Sequence, residues 1–288
     1  MFEVLIAPFY EYEFMLQALL ACALVSLSAP LLGLFLILKK ISLTGDAISH
    51  AILPGVAVGY AVAGLSVTAM TVGGFIAGSI VIVLSGLVSR ITRNGEDSSL
   101  AVFYMVSLAL GVLIISLNGS NIDLLSILFG SLLAINEECL YLLSAIAAIT
   151  VVTMTVIRRP FLMDCVDPDF LRQNGINGHI CHMIFMILVV LNLISGFQTI
   201  GTLMAVGILI LPAAISRLWF NSLLFCCILS PLVASFACYS GIILSFHFNY
   251  PTSPVIIITL GLVYMISVLC GTNGGLLWKI YHLKHLDS

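Results

Sequence analysis

Residues Phe14–Leu38 read FMLQALLACALVSLSAPLLGLFLIL, with Lys39-Lys40 directly after them. The run holds no charged residue and no histidine. A helix of this length rises about 1.5 Å per residue and so covers a hydrocarbon core of about 30 Å. The rest of the chain has the same character: 61% of residues are hydrophobic, 8% are charged, and mean hydropathy is +1.21. A soluble domain carries about 25% charged residues, so this chain lacks the polar groups to cover a surface in water. The apolar runs are continuous and close to 20 residues long, whereas barrel strands alternate over about 10. The expected class is therefore an all-α polytopic transmembrane bundle. Glu3, Glu11 and Glu13 precede the first run without any Lys or Arg. That is the wrong flank for a cleaved signal peptide, and a retained helix is expected.

Further apolar spans follow at about Leu43–Ala63, Val67–Ser89, Leu100–Leu117, Leu140–Ile157, Ser222–His247 and Pro254–Gly271. Arg158-Arg159-Pro160 is expected to end the span before it. Leu124–Ile135 is apolar but too short to cross, which suits an interfacial or re-entrant helix. Ile180–Arg217 has the length of two short helices, with a bend expected at Ser195-Gly196. Every Lys and Arg then falls after the first, third, fifth, seventh or ninth span. By the positive-inside rule these ends are cytoplasmic, with the N-terminus outside and the C-terminus inside. Residues 1–288 read as one transmembrane domain with nine crossings. Most of the eight cysteines lie in apolar spans, among them Cys22, Cys226, Cys227, Cys238 and Cys270. They are expected to act as small hydrophobes.

Two stretches break this monotony. In the second span, Asp46 and His50 stand four residues apart, which stacks them on one helical face. Pro54, four residues on, removes a backbone donor beside Gly55 and loosens the helix. If the helix starts near Leu43, His50 lies about 10 Å in at 1.5 Å per residue. An ionised Asp in a span costs about 2.5–3.5 kcal/mol at the helix centre, so it should face a cavity, a partner or an ion. The pair could bond to each other and merely pack helices. It could equally pass a metal or a proton. One oxygen and one nitrogen are too few for a tight metal site, but a second copy across a dimer axis would give two of each. Such a set suits Zn²⁺, Mn²⁺ or Fe²⁺ alike.

The second stretch, Phe161–Gly178, is the longest polar segment and holds Asp164, Asp167, Pro168, Asp169 and Arg172. It is either a solvated connector or a short helix presented to a soluble partner. His179 and His182, three residues apart, are expected to be solvated at a helix start. Asp123, Glu137 and Glu138 make an acidic rim at the outer side. Pro212, in Gly207-Ile-Leu-Ile-Leu-Pro-Ala-Ala, is a kink or gate candidate. No G-x-x-x-x-G-K-[ST] occurs, no H-E-x-x-H occurs, and Asp46 alone could serve as a membrane aspartate. An enzyme is not expected, nor a nucleic-acid partner, nor a permanently bound cofactor.

Gly45-Asp46-x-x-x-His50-x-x-x-Pro54-Gly55, directly after Leu-Lys-Lys-Ile-Ser-Leu, resembles the second-helix signature of bacterial manganese, zinc and iron ABC-transporter permeases. Asn121–Ile135 and Gly201–Ala214, ending Leu-Pro-Ala-Ala, are similar to two further family stretches, so the resemblance covers nearly the whole chain. It implies a homodimeric permease in the bacterial inner membrane. A separate cytoplasmic ATP-binding subunit would drive it, and an extracytoplasmic binding protein would deliver Zn²⁺ or Mn²⁺. It also implies that Asp46 and His50 contact the metal, and that Asp164, Asp167, Asp169 and Arg172 fall where the family couples to its ATPase. A permease for a chelated metal or vitamin, or a proton-coupled carrier, is the alternative.

Overall fold

A computed structural model describes residues 9–10, 12–64, 66–91, 96–117, 135–166, 178–273 and 275. Within them run ten long helices. They are α1 (Glu13–Leu38), α2 (Thr44–Ala51), α3 (Leu53–Ala63), α4 (Val67–Ile91), α5 (Glu96–Leu117), α6 (Glu137–Val166), α7 (Gly178–Ile200), α8 (Thr202–Trp219), α9 (Leu223–Phe248) and α10 (Thr252–Cys270). With α2 and α3 taken as one span, nine helical segments among the described residues are long and apolar enough to cross a membrane. No strand occurs among these residues.

The bundle is apolar on its outside. On α5, Val102, Met105, Val106, Leu110 and Leu113 are exposed, and on α10 so are Ile258, Leu262, Met265, Ile266 and Leu269. In water such stripes would drive aggregation; in lipid they meet a solvent as apolar as themselves. The most apolar stretch of α1 is 67% buried and that of α7 61%, against 22% for α5 and α10. The first and sixth spans are thus the axis of the bundle, and the others wrap them.

Lipid offers no hydrophobic drive for helices to associate, so close backbone approach does the packing. A side chain at Gly55 or Gly73 would strike the backbone of the other, and one at Gly33 would strike the Leu209 carbonyl of α8. These contacts also fix direction. Gly59 meets Ala69 while Gly55 meets Gly73, so α3 and α4 run antiparallel. Ser107 lies beside Ala51 and Gly111 beside Pro54, so α5 runs parallel to the second span. Lys39, Asp46, Asp97, Asp164, His182 and Arg217 consequently gather toward one end, the basic end of the bundle.

Three expectations about the chain path change. Ser195 and Gly196 lie inside α7, and the turn comes instead at Gly201, whose φ of 85° favours glycine. Gly196 serves the hairpin differently: its missing side chain lets Ala205 of α8 come close. Pro160 does not end its helix either, since α6 continues to Val166. Proline inside a helix costs about 3 kcal/mol, which the packing just beyond it offsets. Phe161 is fully buried, with ring centroids 4.6 Å from Phe185 and 5.3 Å from Phe35. Finally, the polar stretch read as Phe161–Gly178 is not all connector: residues 161–166 belong to α6, and Gly178 opens α7. The apolar segment at 124–135, apart from Ile135 itself, lies outside the described residues, as do Asp123, Asp167, Asp169 and Arg172.

Candidate metal site

The second span breaks where its sequence says it should. Pro54 has no N–H to offer the His50 carbonyl. The Gly55 N–H donates to Ile52 O at 3.1 Å, one residue short of the α-helical partner, so Ala51 O loses its usual donor. The Ser107 hydroxyl of α5 supplies the replacement, donating to Ala51 O at 2.9 Å from a buried position. At the break between α2 and α3, the Ala51 carbonyl is therefore satisfied by the neighbouring span.

Asp46 and His50 occupy the turns just before that break. Asp46 Oδ1 and His50 Nε2 are 3.8 Å apart, beyond hydrogen-bond reach. Mutual satisfaction is therefore not what the pair achieves. The Asp46 side chain is 60% exposed and that of His50 32%. Two ligands of one tetrahedral ion, each about 2.1 Å from it, stand about 3.4 Å apart. The observed spacing is within a small rotamer change of that. Ser49 fixes the local turn by donating to Asp46 O at 2.7 Å. Tyr104 of α5 stacks on the His50 ring, with centroids 6.1 Å apart and planes 29° from parallel, which holds the imidazole edge in one direction.

Beside Asp46 opens a cleft of about 180 Å³ that Asp97 and Tyr104 of α5 share with Leu43 and Thr44. Neither Asp97, Tyr104 nor Ser107 was singled out from the sequence. The signal was present in their spacing: 97, 104, 107 and 111 lie on one helical face, a polar and small stripe on an apolar span. Among the described residues, no three His, Cys, Asp or Glu side chains come together to hold an ion. The candidate site in one chain is a carboxylate, an imidazole and a cleft.

The remaining candidates are elsewhere. Gly55 packs on Gly73. Pro212 is buried within α8, which continues past it. Asp164 is paired: its Oδ2 accepts from Lys39 Nζ at 2.7 Å, the side chains being 15% (Lys39) and 16% (Asp164) exposed. His182 is not free in solvent, because its Nδ1 lies 3.1 Å from the same Lys39 Nζ. Glu137 and Glu138 are exposed at the start of α6.

The model of the ABC 3 transport family matches residues 11–271. A manganese transport system membrane protein, MntC, of Listeria monocytogenes is 31% identical over 93% of this chain and 95% of its own. A chelated iron transport system membrane protein, YfeD, of Yersinia pestis is 28% identical over 93% of this chain and 89% of its own. The fold superposes on PsaBC from Streptococcus pneumoniae, solved in complex with Fab, with a TM-score of 0.84 and 27% identity, covering 99% of this chain and 100% of that one.

Proposed function

The chain belongs to the ABC 3 transport family, and from that membership we propose that two copies of it form the path of an ATP-driven importer of Mn²⁺, Fe²⁺ or Zn²⁺. The chain is a multi-pass metal ABC-transporter permease of the manganese and iron type, and the ATPase is a separate subunit. The finer reading rests on Asp46 and His50. A carboxylate and an imidazole that are partly exposed and not bonded to each other are poor packing elements in a membrane span. They are good transient ligands, since an ion that must also leave wants few of them. A second copy facing the first would bring the set to two oxygens and two nitrogens, which suits a bare first-row ion better than a bulky chelate.

In this reading the basic end faces the cytoplasm of a bacterial inner membrane. Residues 1–288 act as one permease domain, and the 161–178 region meets the ATPase through Asp164, Asp167, Asp169 and Arg172. An extracytoplasmic protein delivers the ion to the other end. Pro54, Gly55 and Pro212 are the places where the spans yield. The test is uptake of manganese into proteoliposomes by the complex with its ATPase and binding protein. Asp46→Asn with His50→Ala should abolish uptake while the complex still assembles. Unchanged uptake and unchanged metal-stimulated ATP hydrolysis would sink the reading, and uptake without any ATPase subunit would replace it with a proton-coupled carrier.

A further inference from the structure

At the basic end, one ammonium ties three helices together. Lys39 follows the last residue of α1, and its Nζ donates to Asp164 Oδ2 near the end of α6 at 2.7 Å. The same Nζ lies 3.1 Å from His182 Nδ1 in the first turns of α7. It also sits 4.4 Å above the centroid of the Phe161 ring, a cation–π distance. Phe161 in turn touches Phe185 of α7 and Phe35 of α1. An ammonium has three protons to donate, and here two directions end on named acceptors while a third side is covered by an aromatic face.

What makes this junction informative is which helices it joins. α6 and α7 are the two helices that flank residues 167–177, and α1 is the most buried span of the bundle. Displacing the ends of α6 or α7 while α1 stays still would leave Asp164 or the ammonium without its partner in a site with little access to water. Removing one partner of such a pair is far costlier than moving the pair together. A displacement that carries the ends of α6, α7 and α1 together avoids that cost.

We propose that Lys39 is a positioning residue for ATP coupling. Through Asp164, His182 and Phe161 it clamps both flanks of the ATPase-facing segment to the first span, so that displacement there reaches the bundle axis. This rests on the reading of the chain as an ATP-coupled permease, and the experiment separates the two. The wild-type complex in proteoliposomes must first show ATP-dependent manganese uptake; its absence removes that reading before any variant is compared.

Lys39→Met is then measured for manganese transported per ATP hydrolysed, beside Lys39→Arg. The methionine variant should keep hydrolysing ATP while the transport ratio falls roughly five- to tenfold, the lower range of typical coupling between sites. The arginine variant, which keeps the charge and several donors, should restore most of the ratio. A normal ratio in Lys39→Met, even with a lowered melting temperature, makes the junction a mere strut and overturns the proposal. If Lys39→Met does not assemble, His182→Gln decides on the same ratio: a loss supports the clamp, and a normal ratio ends it.

Discussion

Two places near the basic end use the same residue types and reach opposite outcomes. At Lys39, an aspartate and a histidine from two other helices converge on one ammonium at 2.7 Å and 3.1 Å, and the lysine and aspartate side chains are nearly enclosed. At Asp46 and His50, an aspartate and a histidine from one helix stand 3.8 Å apart, too far to bond, and stay partly open. The difference is the cation. Where the protein supplies its own, acid and imidazole are saturated and become part of the framework. Where it supplies none, the lone pairs remain available. On the proposed reading, the open pair is a junction with its lysine left out, free to take a passing ion.

The largest test of that contrast removes the open pair's chemistry. Asp46→Asn with His50→Ala should lower manganese uptake by about 100-fold or more, in line with losing both ligands of a half-site, while thermal unfolding barely shifts. A stability comparison comes next. Asp164→Leu strands Lys39 in a nearly closed pocket and should lower stability by about 3 kcal/mol, whereas Asp46→Leu should change it by no more than about 0.5 kcal/mol. Equal losses in detergent unfolding would erase the distinction between framework and site.

A smaller effect is expected at the helix break. Ser107→Ala leaves Ala51 O without a donor and should cost about 1–2 kcal/mol. It should weaken uptake too, because His50 is held by the turn that ends there. The smallest expected change is at Tyr104. Replacing it with Leu frees the His50 ring and should raise the manganese concentration for half-maximal uptake about threefold, an orienting contribution below 1 kcal/mol. Tyr104→Phe, which keeps the stack, should leave it unchanged.

The sequence made the class legible because charge and apolar runs are read locally. The Asp46–His50 pair was legible for the same reason, four residues being one helical turn. What escaped was set by residues far away. Pro160 looks like a terminator until Phe161 is seen against Phe35 and Phe185. His182 looks solvated until Lys39, 143 positions earlier, arrives beside it. The turn between α7 and α8 lies five or six residues beyond Ser195-Gly196 because small residues serve two purposes: Gly196 makes room for Ala205, and of the two glycines only Gly201 takes a positive φ. The polar stripe at Asp97, Tyr104 and Ser107 was readable by its period, but acquires meaning only when α5 lies alongside α2.

That last arrangement bears on how the protein reaches its membrane. The second span has a mean hydropathy of 1.3 in its best window, the lowest of the nine. It also carries Asp46 and an Ala51 carbonyl that no residue of its own span caps. Its cap, Ser107, is 56 residues further along the chain and is synthesised later. At about 5–20 residues per second, the nascent second span waits several seconds for that hydroxyl. Through that interval it is a poor candidate for release into lipid by itself. Biogenesis of this chain is therefore expected to proceed by groups of helices, with the second span held at the translocon until the fourth emerges and the two leave together.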